Sequence, residues 1–154
     1  MILRILRNTD QSIWRYVWKA SLLAHIPSIV ISIGVTLAMP AEGPDLAGPA
    51  IQVVCGILII SPWLETLIMW LVLIGLKRFI TGQTRMAAAS AILWGMLHSL
   101  VAPVWGLVVA WPFFVFSICF LAWEKKSRVR AILATGLTHT CQNILPVIAL
   151  LAIG

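Results

Sequence analysis

From residue 20 onward the chain is a succession of apolar runs, at 20–39, 50–76, 86–102, 104–122 and 131–152. Each is near the ~20 residues that a helix needs to cross the hydrocarbon core of a bilayer. In hydrocarbon every backbone N–H and C=O must find its partner within the protein, so runs of this length fold as helices. Composition excludes the alternative of a soluble domain: 61% of residues are hydrophobic, 10% are charged, and the mean hydropathy is +1.02. The expected fold class is all-α, a polytopic transmembrane helix bundle of about five membrane spans.

The gaps between runs are alternately basic. Arg4, Arg7, Arg15 and Lys19 precede the first run; Lys77, Arg78 and Arg85 fill the gap after the second; Lys125, Lys126, Arg128 and Arg130 precede the last. These are all eleven Lys and Arg residues, whereas the gap at 40–49 carries only Glu42 and Asp45. The excess of basic residues in cytoplasmic loops then predicts an integral, multi-pass membrane protein with its N-terminus in the cytoplasm and its C-terminus on the opposite side. Trp14, Trp18, Trp105, Trp111 and Trp123 fall mostly near span ends, where amphipathic rings settle at the headgroups. The leader, residues 1–19, mixes Ile, Leu and Trp with Arg and Lys and is expected to form an interfacial basic helix before the transmembrane domain, 20–154. The first apolar run exceeds a signal-peptide core and is read as retained. Cys55, Cys119 and Cys141 lie in separate spans without metal-like spacing and read as small apolar filler.

Ionisable side chains are costly at mid-membrane and mark function or pairing. Counted inward from the nearest basic anchor at ~1.5 Å per residue, Glu65 lies roughly 18 Å deep, His98 and Asn143 about 20 Å, and His139 about 14 Å. Four polar groups from three helices thus fall in one layer. His139 and Asn143, four apart, share a helix face. His25 lies shallower, in a span with no other strong polar group, and reads as structural.

These residue types support a hydrolase without a covalent intermediate. Glu65 suits a base that activates water, His98 can hold the same water or share its proton, and His139 and Asn143 can donate to the oxyanion of a tetrahedral intermediate. No Asp lies in any span, and neither an HExxH helix nor a serine elbow is present. Two His and one Glu could also ligate zinc, an alternative that spacing leaves open when the donors come from three helices. A helix-gluing hydrogen-bond network is the purely structural alternative.

Read in order, "SPWLETLIMW", "SAILWGMLHSL" and "LTHTCQNIL" resemble the successive motifs of the CPBP family of intramembrane proteases, which includes type II CAAX prenyl endopeptidases and bacterial proteins linked to bacteriocin processing and self-immunity. That family carries Glu-Glu-x-x-x-Arg, Phe-x-x-x-His and His-x-x-x-Asn motifs on separate membrane helices. The resemblance covers about 60–146 and places the motif residues on Glu65, His98, His139 and Asn143. Thr66 stands for the second motif glutamate, Trp70 for the arginine, and Trp94 for the aromatic before the histidine. It implies an intramembrane endopeptidase in which Glu65 and His98 activate water while His139 and Asn143 hold the oxyanion. The expected partners are the lipid bilayer and a membrane-associated peptide or protein substrate, with no nucleic acid and no cofactor, a divalent metal such as zinc being the alternative. Two other classes stay open: a non-catalytic protein of this kind acting as a binding, immunity or regulatory factor, and a small proton-coupled carrier.

Overall fold

The structure, a computed structural model, describes residues 1–39 and 50–153. The acidic gap with Glu42 and Asp45, and Gly154, expected on the face opposite the basic loops, lie outside the described residues. The remainder is helical, with no strand among the described residues: α1 (Ile2–Arg7), α2 (Ile13–Ala38), α3 (Ala50–Cys55), a π-helical turn (Gly56–Ile60), α4 (Ser61–Leu76), α5 (Gln83–Ser99), α6 (Trp105–Trp123) and α7 (Arg128–Ile153). Segments Ile13–Ala38, Ile51–Leu76 and Trp105–Trp123 are long and apolar enough to cross a membrane, as befits a helical membrane protein. The shorter α5 has 17 residues. The 26-residue α7 matches α2 in length, but Thr138, His139, Thr140, Gln142 and Asn143 break its apolar run.

The leader differs from expectation. Residues 1–19 do not form one interfacial helix: α1 ends at Arg7, and α2 begins at Ile13 and continues unbroken through Lys19. Local polar chemistry makes the break. The Asn8 side chain accepts from the Asp10 N–H at 3.0 Å, and Ser12 caps α2 by accepting from the Arg15 N–H at 3.4 Å. The short α1 then tucks under the bundle, where Leu6 is fully buried and its carbonyl accepts from the Tyr16 hydroxyl at 2.6 Å.

Helix α6 is the axis of the fold, with Phe113 and all of Val115–Trp123 buried. It meets α5 where two glycines oppose: a Cβ on Gly106 would run into the Gly95 carbonyl and the Ser99 hydroxyl. Small residues let membrane helices approach this closely and replace side-chain burial with backbone packing. Outward, Ile26, Ile33, Leu37, Leu64, Leu71 and Leu107 stay exposed, the apolar exterior that lipid requires.

Pro27, Pro62 and Pro112 each leave a helix carbonyl without its usual donor, and each of these carbonyls is answered from a neighbouring helix. A proline lacks the N–H that would bond the carbonyl four residues earlier, a loss lipid cannot repair. For Pro27 that carbonyl is Leu23, which accepts from Trp111 Nε1 of α6 at 2.9 Å. For Pro112 it is Val108, which accepts from the Ser28 hydroxyl of α2 at 3.3 Å. For Pro62 it is Leu58, which accepts from the Thr140 hydroxyl of α7 at 3.0 Å. The π-turn ahead of Pro62 frees a second carbonyl, Ile57, because the Ser61 N–H turns to Gly56 instead; Asn143 Nδ2 donates to it at 2.9 Å.

At one end of the bundle the basic gaps converge. Lys77 pairs with Glu124, Lys126 pairs with Asp10 at 2.7 Å and donates to the Thr9 carbonyl, and Arg7 donates to the Thr84 hydroxyl at 2.6 Å. These contacts tie α1 and the turn after it to α5 and to the α4–α5 and α6–α7 connections at one end of the bundle.

Candidate functional site

The polar residues of α4, α5 and α7 meet in a cavity of about 410 Å³ that α2 and α6 help to wall. Glu65, His98, His139 and Asn143 all line it. His25 does not; its Nδ1 faces the Ser21 carbonyl of its own helix at 2.9 Å. The layer deduced from helical rise is therefore one space in the folded chain.

Glu65 is held from both sides. The Ser61 hydroxyl, one turn earlier on α4, donates to Oε1, while Oε2 lies 3.8 Å from His139 Nε2. That second distance is too long for a hydrogen bond, so the two groups are close neighbours and not a bonded pair. Ser61 and Glu65 stand four residues apart on α4 and so share one helix face.

His98 Nδ1 lies 2.8 Å from the Trp94 carbonyl. A carbonyl only accepts, so Nδ1 carries the proton and the neutral ring keeps Nε2 as its basic nitrogen. Aromatic neighbours set the ring plane: Trp105 meets it edge-on with centroids 4.6 Å apart, and Phe113 lies 5.2 Å away. Phe113 itself is stacked on Trp94 at 4.5 Å. Trp94, the aromatic preceding the motif histidine, thus supports the site from behind.

His139 is buried, its ring stacked on Phe116 at 4.4 Å and edge-on to Phe113 at 5.5 Å. With the faces covered by carbon, only the ring nitrogens can act, and Nε2 points toward Glu65. Asn143 is partly engaged: one Nδ2 proton goes to the Ile57 carbonyl, leaving a second N–H and the carbonyl oxygen.

Two of the three departures from the motif pattern, Thr66 and Trp70, do not line the cavity. Thr66 is buried in the bundle. Trp70 is covered by Arg128, whose guanidinium sits 5.0 Å from the ring centre, so an arginine reaches this spot from α7 instead of from α4. Among the described residues, no three His, Cys, Asp or Glu side chains are arranged to hold a metal ion.

Sequence reasoning missed Gln142, which also lines the cavity and is 91% buried. Its spacing could have found it: His139, Gln142 and Asn143 stand at i, i+3 and i+4, one face of a helix. It also missed Trp63, whose ring packs on Gly136 where a Cβ would sit 3.0 Å from ring carbons and so sets the α4–α7 approach. Comparison of the chain with known protein families, with curated proteins and with solved structures finds no match.

Proposed function

We propose that this protein is an intramembrane endopeptidase resembling the CPBP family, hydrolysing a peptide bond of a membrane-associated substrate. The observation that carries the reading is the convergence of Glu65, His98, His139 and Asn143, from three helices, on one cavity inside an apolar bundle. Water held between the Glu65 carboxylate and His98 Nε2 loses a proton to one of them as its oxygen attacks the carbonyl carbon. The oxyanion that forms is held by the ring N–H of His139 and by the second Nδ2 proton of Asn143. As the C–N bond breaks, the proton passes to the leaving amine. No cofactor enters these steps.

The reading includes five membrane crossings, with α5 and α7 completing the set. Basic loops at one end of the bundle support a cytoplasmic N-terminus and a C-terminus on the opposite side. Labelling of single cysteines tests this: a cysteine at position 126 should react only from the cytoplasmic side, and reaction from the other side overturns the orientation.

Hydrolysis is tested by comparing peptide products from membranes carrying the intact chain with those carrying Glu65→Gln. The glutamine keeps the size and the Ser61 contact but cannot take the proton. Products should fall by about 10²- to 10⁴-fold, the range for losing a general base. Equal products from both chains would sink the protease reading. They would favour a non-catalytic protein that uses the cavity to bind a partner, a reading supported by the structural engagement of Asn143 with Ile57.

A further inference from the structure

The cavity does not sit midway along the bundle. His98 stands fifteen residues along α5 from Gln83, roughly 22 Å, and one residue from the helix end at Ser99. Trp105, which meets its ring, begins α6. On α7 the lining runs from His139 through Asn143 and Pro146 to Leu150, a stretch of eleven residues, or roughly 16 Å, directed away from the basic start of the helix at Arg128. Toward the basic loops the same helices close on one another. Met69 and Leu73 of α4, Ala87 of α5, Phe120 and Trp123 of α6 and Ala131 of α7 are buried in one apolar cluster, to which Leu6 of α1 belongs. A core packed to this degree leaves no path for water or for a chain.

Exposure changes along the same axis. Phe113, Phe116 and His139, at the inner end of the cavity, are buried, whereas Pro146 and Ala149, at its outer end, are exposed. Helix α7 is packed at Ala134–Gly136 and at Thr138 and His139, but from Ile144 to Ala152 only Val147 is buried. Among the described residues that line the cavity there is no Lys or Arg, and Glu65 is the one carboxylate.

We infer that the cavity is entered from the end of the bundle opposite the basic loops, and that its substrate is an uncharged, largely apolar peptide segment presented on the non-cytoplasmic face of the membrane. This rests on the proteolytic reading for the substrate and on the proposed orientation for the face; the direction of entry rests on the helices alone. Glu65 and His139 lie at the inner end, so both water and peptide must travel the length of the cavity to meet them. The wall formed by Val108, Val109 and Leu150 would strip a charged side chain of its water and offer it no partner, whereas an apolar side chain gains from the same burial. A peptide tail held at the cytoplasmic face would have to pass through the packed cluster around Leu73 and Phe120 and is excluded by it.

The test places cysteines in the full chain, in sealed membrane vesicles, with a charged, membrane-impermeant methanethiosulfonate as the probe. Val109→Cys lies on the cavity wall, Val108→Cys is the second wall variant should the first not fold, and Lys126→Cys marks the basic loops in the same vesicles. The unsubstituted chain, with Cys55, Cys119 and Cys141, sets the background. The Val109→Cys thiol should react from the face opposite the one at which Lys126→Cys reacts, and from that face only. Reaction from the Lys126 face, or from neither face in both wall variants, overturns the entry. Modification from the open face should also abolish the Glu65-dependent peptide products, because the added group fills the route; products that persist after complete modification overturn the substrate assignment. Labelling needs no turnover, so the two readings fail separately. One-sided labelling without Glu65-dependent products removes the protease and keeps the entry, while Glu65-dependent products with labelling from the Lys126 face keep the protease and remove the entry.

Discussion

The hydrogen bond from Thr140 to the Leu58 carbonyl exists because residue 62 is proline, and a double-mutant cycle measures that dependence. Thr140→Val removes only the hydroxyl and keeps the shape of the side chain. The Leu58 carbonyl then has neither its Thr140 donor nor an N–H from residue 62. An unpaired buried carbonyl costs about 1–3 kcal/mol in soluble proteins, while interhelical hydrogen bonds measured in membranes average about 0.6 and reach about 1.7 kcal/mol. The bond is 3.0 Å long and half-buried, which places Thr140→Val at a loss of about 1 kcal/mol. Pro62→Ala restores an N–H four residues after Leu58, so in that background Thr140→Val should cost close to nothing. The prediction concerns the coupling of about 1 kcal/mol, because Pro62→Ala alone both repairs a helix and removes a kink. Unfolding in mixed micelles, followed by tryptophan fluorescence, gives the four free energies. Costs of Thr140→Val that agree within about 0.3 kcal/mol in the two backgrounds would refute the account, since that is the additivity of independent sites.

Gly106→Ala should destabilise by about 1–3 kcal/mol, because its Cβ meets the Gly95 carbonyl and the Ser99 hydroxyl; Gly75→Ala, with open space around it, should be neutral or mildly stabilising in the same unfolding assay. Lys126, by its hydrogen bond and charge, holds the Asp10 carboxyl below its ordinary 3.8, so its contribution is present above that value and is lost as pH falls through the lower, folded-state value. The stability difference between wild type and Asp10→Asn should therefore be small near neutrality, as for any exposed pair, and vanish in acid; a difference that grows in acid contradicts the pairing. Asn143→Ala should lower turnover by about 10²- to 10³-fold and also reduce stability, since the Ile57 carbonyl loses its donor, whereas Glu65→Gln should lower turnover with little effect on stability. Exhaustive chelation should leave peptide products unchanged, and their loss with recovery on adding zinc would replace the glutamate mechanism by a metal one.

What was legible in the sequence depended on whether a residue's reason lay in its own helix or in a neighbour. Apolar runs and alternating charge concern single segments, and they located the helices to within a few residues, apart from the leader. There Asn8 and Ser12 ended one helix and began another where basic-apolar mixing suggested a continuous one. That Glu65, His98, His139 and Asn143 belong together was readable because an ionisable or amide side chain in an apolar run advertises its cost, and the structure places all four around one cavity. Thr140, Ser28 and Trp111 carried no such mark. Each is ordinary in its own segment and makes sense only against a proline in another helix, a pairing that helical periodicity does not encode. Gln142 was hidden differently: it stood beside the motif residues and drew no separate attention, though the same spacing argument applied to it.

Helix α7 shows why kink and site belong to one device. Thr140 and Asn143 face the π-turn and hold the carbonyls that Pro62 frees, while His139 faces Glu65 from the same two turns. Beside Pro62, Ser61 lies one turn before Glu65 on α4 and donates to it. Moving α7 relative to the π-turn by even part of a turn would break two hydrogen bonds and carry His139 away from the carboxylate. The polar face of α7 therefore cannot be explained by the cavity alone or by the kink alone. A regular α3–α4 helix would offer Thr140 and Asn143 no free carbonyl at Leu58 and Ile57. Side chains that must keep sub-ångström geometry are best placed on elements locked by such paired constraints, and here the lock consists of carbonyls that a proline left without donors.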